Sequence, residues 1–524
     1  MTSVSIANLT WQTPSNNTFF DDLTLTFGPG RTGLVGRNGT GKSTLLRLIA
    51  GELAPVGGSI TGSSSIGHLR QSADEASATS VADLFGVTDQ LRILSRAEHG
   101  EATADDLAVA DWTLEARLEA ALTSLGLDLS PNTKMSSLSC GQRTRAALAA
   151  LLFADPDVLL LDEPTNHLDR AGREYMMNVL RGWTGCVIVA SHDRTLLECM
   201  DAIVELTSLG AKTYGGPYSA YRAAKQAELR KAKDNLALAQ RNKAATVARA
   251  QRAAERKART DRQGKQLRAS GSQSKLLLDV AKERSEVSGG SAARLRDRRA
   301  KEAAADLNAA EEAIEVLEPL NIEIPPSGLA STRQVLDVDR ITFGHDASVP
   351  IFTNVSFAIQ GPERLAIGGA NGTGKSTLLS CIEGKLQPQF GKIAVHVPIT
   401  LIDQEMSFLD PEETVREAFA RLDPTATENE RRATLARFLF RGNDADQQVA
   451  SLSGGQKMRA GLACSLGHSE PRQLLLLDEP SNHLDIAAVE TLETALRAYD
   501  GAIVVVSHDQ AFLNRIGVHR CVAL

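Results

Sequence analysis

The sequence predicts an α/β protein: two copies of one parallel-sheet domain joined by an antiparallel α-helical hairpin. Three observations carry this. The stretch G-R-N-G-T-G-K-S-T from Gly36 to Thr44 returns as G-A-N-G-T-G-K-S-T from Gly369 to Thr377. Apolar runs such as Val158–Leu161 and Leu474–Leu477 are far too short to span a bilayer and read as strands buried on both faces of a parallel sheet. Between the copies, residues Arg222 to Lys301 are rich in Lys, Arg, Ala and Gln and hold no aromatic residue, which is helix composition. The expected divisions are therefore 1–216, 217–333 and 334–524.

The bulk numbers fit that plan. A chain of 524 residues, 42% hydrophobic and 23% charged, can build two or three domains with real cores. Its charge is uneven. Arg222 to Glu302 carries 23 Lys plus Arg against 9 Asp plus Glu, a local +14 inside a protein of net charge -7, so the remainder carries -21. The bland reading is a solvated helix with a basic face; an imbalance this large inside an acidic chain favours a nucleic-acid partner. The six cysteines are scattered, with no C-x-x-C pair; neither zinc nor an iron–sulfur cluster is expected, and free thiols fit a reducing cytoplasm. Met1 to Trp11 does not read as a signal peptide.

In the first copy, Val4 to Phe27 reads as short strands with a polar turn around Pro14–Thr18. A strand from Arg31 to Val35 runs into Gly36, and a helix is expected from Ser43 to Ala50. This is the strand–loop–helix context that a G-x-x-x-x-G-K-S phosphate loop requires. Its glycines let successive backbone N–H groups face phosphate oxygens, and the helix N-terminus adds a favourable field. Lys42 is placed to reach the β and γ phosphates and Ser43 to hold Mg²⁺. Further on come Gln71 after a short strand, L-S-C-G-Q from Leu138 to Gln142 opening a helix, D-E-P-T-N-H-L-D from Asp162 to Asp169 after an apolar strand, and Ser191-His192-Asp193 after another.

In that order, over most of the first 210 residues, these motifs resemble an ATP-binding cassette ATPase. The resemblance implies roles residue by residue. The loop residues Gly36, Arg37, Asn38, Gly39, Thr40, Gly41, Lys42, Ser43 and Thr44 would bind ATP. Asp162 would support Mg²⁺ from behind its direct ligands, with Gln71 touching metal and water. Glu163 would be the general base and His192 the γ-phosphate contact. Ser139, Gly141 and Gln142 would meet the γ-phosphate of a nucleotide held by the other cassette. Phosphoryl transfer asks for this kind of positioning and charge neutralisation. One departure stands out: Cys140 occupies the place of the first Gly of L-S-G-G-Q, so the two composite sites are expected to differ in rate.

The second copy repeats the set. Lys42 to Lys375 and Gln71 to Gln404 are both offsets of 333, Ser139 to Ser453 is 314, and Asp162 to Asp478 and His192 to His508 are both 316. By the same resemblance its ATP contacts would be Gly369, Ala370, Asn371, Gly372, Thr373, Gly374, Lys375, Ser376 and Thr377, with Ser453, Gly454, Gly455 and Gln456 as the full signature. Ser376, Gln404 and Asp478 would be the Mg²⁺ set, and Glu479 and His508 the catalytic pair. The first copy is 19 residues longer between Gln and signature, around Thr88–Trp112, which reads either as an enlarged helical subdomain or as a small interaction arm. Trp11 and Phe343, nearly in register, are either adenine-stacking aromatics, as the cassette family uses, or core residues.

In the middle section, Leu229, Ala232, Leu236 and Ala239 form one apolar seam of coiled-coil spacing, and Ala303, Leu307, Ala310, Ile314 and Leu317 form another. Facing seams make a hairpin centred near Gly271–Ser272, each arm about 40 residues or about 60 Å. Gly289 and Gly290 break the returning arm; Pro319, Pro325 and Pro326 close it. A basic hairpin without aromatics should grip phosphates rather than stack on bases. Two cassettes, no membrane domain, this linker and the G-G-P-Y-S-A-Y entry at Gly215 to Tyr221 resemble the ABC-F family. That resemblance implies a cytoplasmic monomer, its cassettes paired head to tail, that hydrolyses ATP and binds the ribosomal exit site with its tip toward peptidyl-tRNA. Translation regulation leads; antibiotic resistance by ribosome protection uses the same machine, and the tip, 264–291, is where the two readings differ. A transporter ATPase subunit would need a membrane partner, and a chromosome ATPase a much longer coil splitting one cassette.

Overall fold

The computed structural model describes residues 3–13, 18–62, 65–70, 79–166, 168–207, 210–269, 298, 301, 326–344, 349–403, 406–452, 454–468, 470, 472–482 and 484–524. Residues Met1–Ala220 with Leu320–Leu524 form one compact unit, and Tyr221–Pro319 a second. The first unit thus holds both cassettes.

Cassette one opens with β1 (Val4–Gln12), β2 (Thr18–Phe27), β3 (Gly30–Val35), α1 (Lys42–Ile49), β4 (Gly57–Thr61) and β5 (Ile66–Leu69). Helices α2 (Val81–Leu84), α3 (Thr88–Glu98), α4 (Ala104–Val109) and α5 (Leu114–Ser124) follow, then α6 (Cys140–Phe153), β6 (Val158–Asp162), α7 (Arg170–Gly182), β7 (Cys186–Ala190), α8 (Arg194–Leu197), β8 (Ala202–Thr207) and β9 (Gly210–Gly215). An antiparallel sheet ordered β2-β1-β4 faces a six-stranded sheet ordered β5-β6-β7-β3-β8-β9, parallel except for β9. Every residue of β6 and β7 is buried, as expected of strands covered on both faces. Leu9, Phe27, Leu34, Leu45, Leu160 and Ile188 close one core between the sheets and α1. Because β3 sits between β7 and β8, the loop after Val35 opens at the carboxyl ends of the strands, where open α/β sheets bind ligands.

The extra sequence of the first cassette falls on α3, α4 and Trp112. Capping boxes at Ser80/Asp83 and Thr103/Asp106 start α2 and α4, and Leu107, Val109 and Trp112 are exposed there.

Helix α9 runs from Tyr218 to Ala269, 52 residues, about 78 Å at 1.5 Å per residue. It starts inside the entry motif, so this arm is longer than the spacing of the seam alone implies, and Gly264 does not interrupt it. Ala232 and Ala239 are buried, Leu229 and Leu236 half-buried, and the stripe continues through Thr246, Ala250 and Ala253, the 3-and-4 spacing of a coiled-coil seam. The opposing seam, the expected turn at Gly271–Ser272, Gly289, Gly290, Pro319 and Pro325 lie outside the described residues.

Cassette two repeats the architecture with β10 (Gln334–Phe343), β11 (Phe352–Gln360), β12 (Arg364–Gly368), α10 (Lys375–Glu383), β13 (Phe390–Val395), β14 (Ile399–Ile402), α11 (Val415–Leu422), α12 (Glu428–Arg437), α13 (Gly454–Leu466), β15 (Leu474–Asp478), α14 (Ile486–Ala498), β16 (Ala502–Val506), α15 (Gln510–Arg515) and β17 (Arg520–Ala523). Its sheets are ordered β11-β10-β13 and β14-β15-β16-β12-β17. No helix among the described residues is long and apolar enough to cross a membrane.

Candidate active site

Each phosphate loop is shaped by glycines that only glycine geometry allows. Gly39 and Gly41 have φ of 84° and 93°, Gly372 and Gly374 of 85° and 91°, a region that penalises any Cβ. A Cβ on Gly41 would also stand 2.7 Å from the Phe20 ring. Lys42 Nζ donates to the carbonyls of Gly36 (2.8 Å) and Arg37 (3.2 Å); Lys375 Nζ donates to those of Gly369 and Ala370, both at 2.9 Å. Both ammonium groups are thus held over their loops. Burial lowers the pKa of each, while neighbouring carboxylates, Glu163 for Lys42 and Glu479 for Lys375, work the other way.

The carboxylates meet the loops from β6 and β15. Asp162 and Asp478 end these strands, and their side chains accept hydrogen bonds from Ser43 and Ser376. Glu163 and Glu479 follow, both with φ of 46°, an unusual backbone for a non-glycine residue and one that clusters at functional sites. Their amides are anchored to the ends of β7 and β16, Glu163 N to Ala190 O at 2.8 Å and Glu479 N to Val506 O at 2.9 Å. Burial pushes Glu163 up to about 8 and Glu479 up to about 7, into the range of a general base poised near neutrality. Glu163 Oε1 is buried, with His192 Nε2 as its near neighbour at 3.3 Å.

The histidines close both sites in one geometry. His192 Nε2 lies 3.1 Å from Asn38 Oδ1 and 3.3 Å from Glu163 Oε1; His508 Nε2 lies 3.1 Å from Asn371 Oδ1 and 3.5 Å from Glu479 Oε1. Burial lowers His192 well below the usual range and His508 to about 4, so both are neutral at pH 7.

A cavity of about 430 Å³ sits over the first loop, lined by Asn38, Gly41, Lys42, Ser43, Thr44, Asp162, Glu163 and His192, and also by Ser481, Asn482, Leu484, Val489 and Asp509 of the second cassette. The cassettes meet there: Asn38 N donates to Asp485 Oδ2 at 3.0 Å. Arg459, three residues beyond Gln456 on α13, has its pKa lowered first by burial and then by Arg37 of the facing loop, so the helix that begins at Gly454 and Gly455 approaches loop one. From the other side, Asp169 and Arg173 act electrostatically on His508, Asp169 on Lys375 and Arg173 on Glu479.

Ser139 caps α6, accepting from Gln142 N at 3.2 Å while Gln142 Oε1 accepts from Ser139 N; Cys140 and Gly141 form its first turn, and Cys140 is half-buried. Gln71, Gln404 and Ser453 lie outside the described residues. Trp11 is half-buried, edge-on to Phe19 at 5.9 Å, whereas Phe343 is buried and stacked on Phe352 at 6.1 Å. Sequence reasoning missed Phe19, Asp485 and Arg173. Phe19 was legible as the outward member of the Phe19-Phe20 pair in β2, since alternation sends Phe20 inward. Asp485 becomes visible only once the cassettes are paired, and Arg173 only once α7 packs beside Leu168 and Asp193.

The family model described as ABC transporter matches residues 20–166 and 352–482. The chain is 33% identical to the tylosin resistance ATP-binding protein TlrC of Streptomyces fradiae, over 94% of this chain and 92% of that protein. It is 31% identical to the energy-dependent translational throttle protein EttA of Mycobacterium tuberculosis, over 95% of this chain and 87% of that one. The chain belongs to the ABC-F family. Among solved structures, this ABC-F chain resembles the complex of archaeal ribosomal stalk protein aP1 and the archaeal ribosome recycling factor aABCE1, at a TM-score of 0.56 and 19% identity, over 98% of this chain and 87% of that one; at that identity the likeness speaks for the tandem-cassette fold. The duplicated domains are ABC ATPase domains, the class that binds ATP.

Proposed function

We propose that this protein is a ribosome-associated ATPase that regulates translation at the ribosomal exit site. The observation that carries the ATPase reading is the duplicated geometry of loop lysine, strand-end Asp-Glu and histidine, each set buried beside its own phosphate loop. One ATP is held between Lys42 and Ser453, the other between Lys375 and Ser139. The loop N–H groups and lysines bind the phosphates. The Ser43–Asp162 and Ser376–Asp478 pairs would hold Mg²⁺, which prefers one or two protein ligands plus phosphates and waters, and the ion would supply neutralisation of phosphate charge there. Glu163 and Glu479 accept a hydrogen bond from the attacking water, and the bond to the γ-phosphoryl group breaks to give ADP and phosphate. His192 and His508, neutral and fixed by Asn38 and Asn371, position the γ-phosphate.

The ribosome reading rests on the +14 balance of the linker, on the exposed arginines of α9 and on the throttle protein's name. Phosphate-rich, shape-defined ribosomal RNA and peptidyl-tRNA are the targets such a surface suits, and the cytoplasm is where they are met. The tylosin-resistance relative favours a second reading, ribosome protection against a drug; susceptibility of a deletion strain separates the two. The double variant Glu163→Gln, Glu479→Gln tests the core of the proposal. It should bind ATP, hydrolyse it at least about a hundredfold more slowly, sediment with ribosomes in ATP and arrest growth. A dead ATPase that neither accumulates on ribosomes nor impairs protein synthesis would remove the translation reading.

A further inference from the structure

The turn that carries each histidine is held differently in the two cassettes. Asp193 follows His192, and its carboxylate bonds in two directions. Oδ1 accepts from Thr195 N at 2.9 Å and from Leu196 N at 3.2 Å, which starts α8. Oδ2 accepts from Arg173 Nη1 at 2.8 Å, while Arg173 Nε donates to Leu168 O at 3.2 Å. Arg173 on α7 therefore ties the end of the D-E-P-T-N-H-L-D segment to the Ser191-His192-Asp193 turn. The two side chains are 18% and 9% exposed, so this charge-assisted bond is weakly screened by water. Arg173 also lines the cavity over the first phosphate loop, together with Lys42, Glu163 and His192. Applying the offset of 316, Asp509 stands where Asp193 does and Val489 where Arg173 does. Asp509 starts α15, accepting from Phe512 N at 2.9 Å, but a valine side chain has no donor to give its carboxylate.

We infer that Arg173 is a positioning residue of the first ATP site, fixing His192 through Asp193, and that Val489 gives the second site no such brace. The turn is stitched on both sides of His192. Asp193 N donates to Ser191 Oγ at 3.1 Å, and His192 N donates to Glu163 Oε2 at 3.3 Å. With Asp193 fastened to α7, the backbone of His192 cannot shift without breaking the Arg173 bond. The imidazole is thus held against Asn38 and Glu163 before a nucleotide arrives. Positioning built in beforehand costs nothing at the moment of reaction, and a small misplacement of a group that contacts the transferred phosphoryl is costly in rate. In the second cassette Asp509 N makes the matching bond to Ser507 Oγ at 3.1 Å, so the turn itself is the same and the tie from the preceding helix is the difference.

This inference rests on the ATPase reading, and the test separates the two. Glu479→Gln leaves hydrolysis to the first site, and Glu163→Gln leaves it to the second. In the Glu479→Gln protein, Arg173→Gln should lower kcat about tenfold with KM for ATP within about twofold. Arg173→Lys, which can still donate to Asp193, should restore most of the loss. In the Glu163→Gln protein, Arg173→Gln should change kcat by less than about threefold. Asp193→Ser keeps an oxygen to cap α8 but removes the partner of Arg173; once it is added to the Glu479→Gln protein, Arg173→Gln should lower kcat by less than a further twofold or about that. In the nucleotide-free protein, the imidazole NMR signal that His192→Gln removes should broaden or shift with Arg173→Gln. Equal losses in both single-site backgrounds would mean a general loss of structure and would overturn the proposal. So would an unchanged kcat at the first site, independent effects of Arg173→Gln and Asp193→Ser, or an unmoved His192 signal. If Glu479→Gln with Arg173 intact hydrolyses no ATP while the unmodified protein does, the first site is not hydrolytic and the proposal falls. If the unmodified protein hydrolyses none, the ATPase reading itself falls, and the proposal with it.

Discussion

Arg194 and Glu493 form an ion pair between the cassettes at 2.5 Å, each side chain only 6% exposed. Arg515 adds a second bond to Glu493 at 2.8 Å. The perturbation is a double-mutant cycle of Arg194→Met and Glu493→Met, the replacement keeping bulk and removing charge. Removing one member of a buried pair costs about 3–5 kcal/mol, because the other is left charged and unpaired. The two single variants are not equal. Without Glu493, Arg194 loses the acceptor of Nη1, and its Nη2 has none among the described residues, so the cost falls at about 4 kcal/mol. Without Arg194, Glu493 keeps Arg515, which brings the cost to about 2 kcal/mol. The double variant leaves only Arg515, 28% exposed and within 3.8 Å of Glu490, and should cost about 3 kcal/mol or less, since apolar replacement of a whole buried pair is often neutral. The coupling is then about 3 kcal/mol. Urea unfolding followed by tryptophan fluorescence measures it. Mirror substitutions at Gln510 and Met177 should each cost under about 1 kcal/mol. Additive single effects, or singles within about 0.5 kcal/mol of the unmodified protein, would refute the view that this pair fastens one side of the cassette boundary.

Three further outcomes are expected. Burial raises the Glu163 carboxyl from its ordinary value to about 8, so above pH 4.5 the unfolded chain releases a proton that the folded one retains. Glu163 therefore destabilises increasingly as pH rises from about 4.5 to 8, and Glu163→Gln should raise Tm by an amount that grows over that window and levels off above it. A Tm difference that is flat with pH would contradict the burial argument. Replacing Arg249, Arg252, Arg256 and Arg259, all exposed on α9, by Gln should weaken ribosome binding and flatten its salt dependence while leaving ATP affinity unchanged; unaltered binding at every salt concentration would count against a nucleic-acid role. Cys140→Gly should alter turnover at the site of Lys375 more than at that of Lys42, read with each lysine disabled in turn.

The sequence by itself determined the chemistry of each site, because those motifs are local. A G-x-x-x-x-G-K-S loop must turn through left-handed glycines, and a buried strand ending in Asp-Glu must present both carboxylates at the sheet's carboxyl edge. The repeat offsets located the second copy, and composition with a 3-and-4 seam marked out α9. The indole of Trp11 and the ring of Phe343 had the same local pattern, yet one is half-exposed beside Phe19 and the other stacked in the core. What covers a strand-end aromatic is decided by the next strand, not by its own neighbours. The contacts between Asn38 and Asp485 and between Arg194 and Glu493 join residues some 300 or more positions apart. No periodicity or spacing encodes such pairs. They arise when two similar but unequal surfaces are brought face to face, and only the tertiary structure could show that Arg194 of the first cassette meets Glu493 of the second while Gln510 and Met177 stand at the mirror positions.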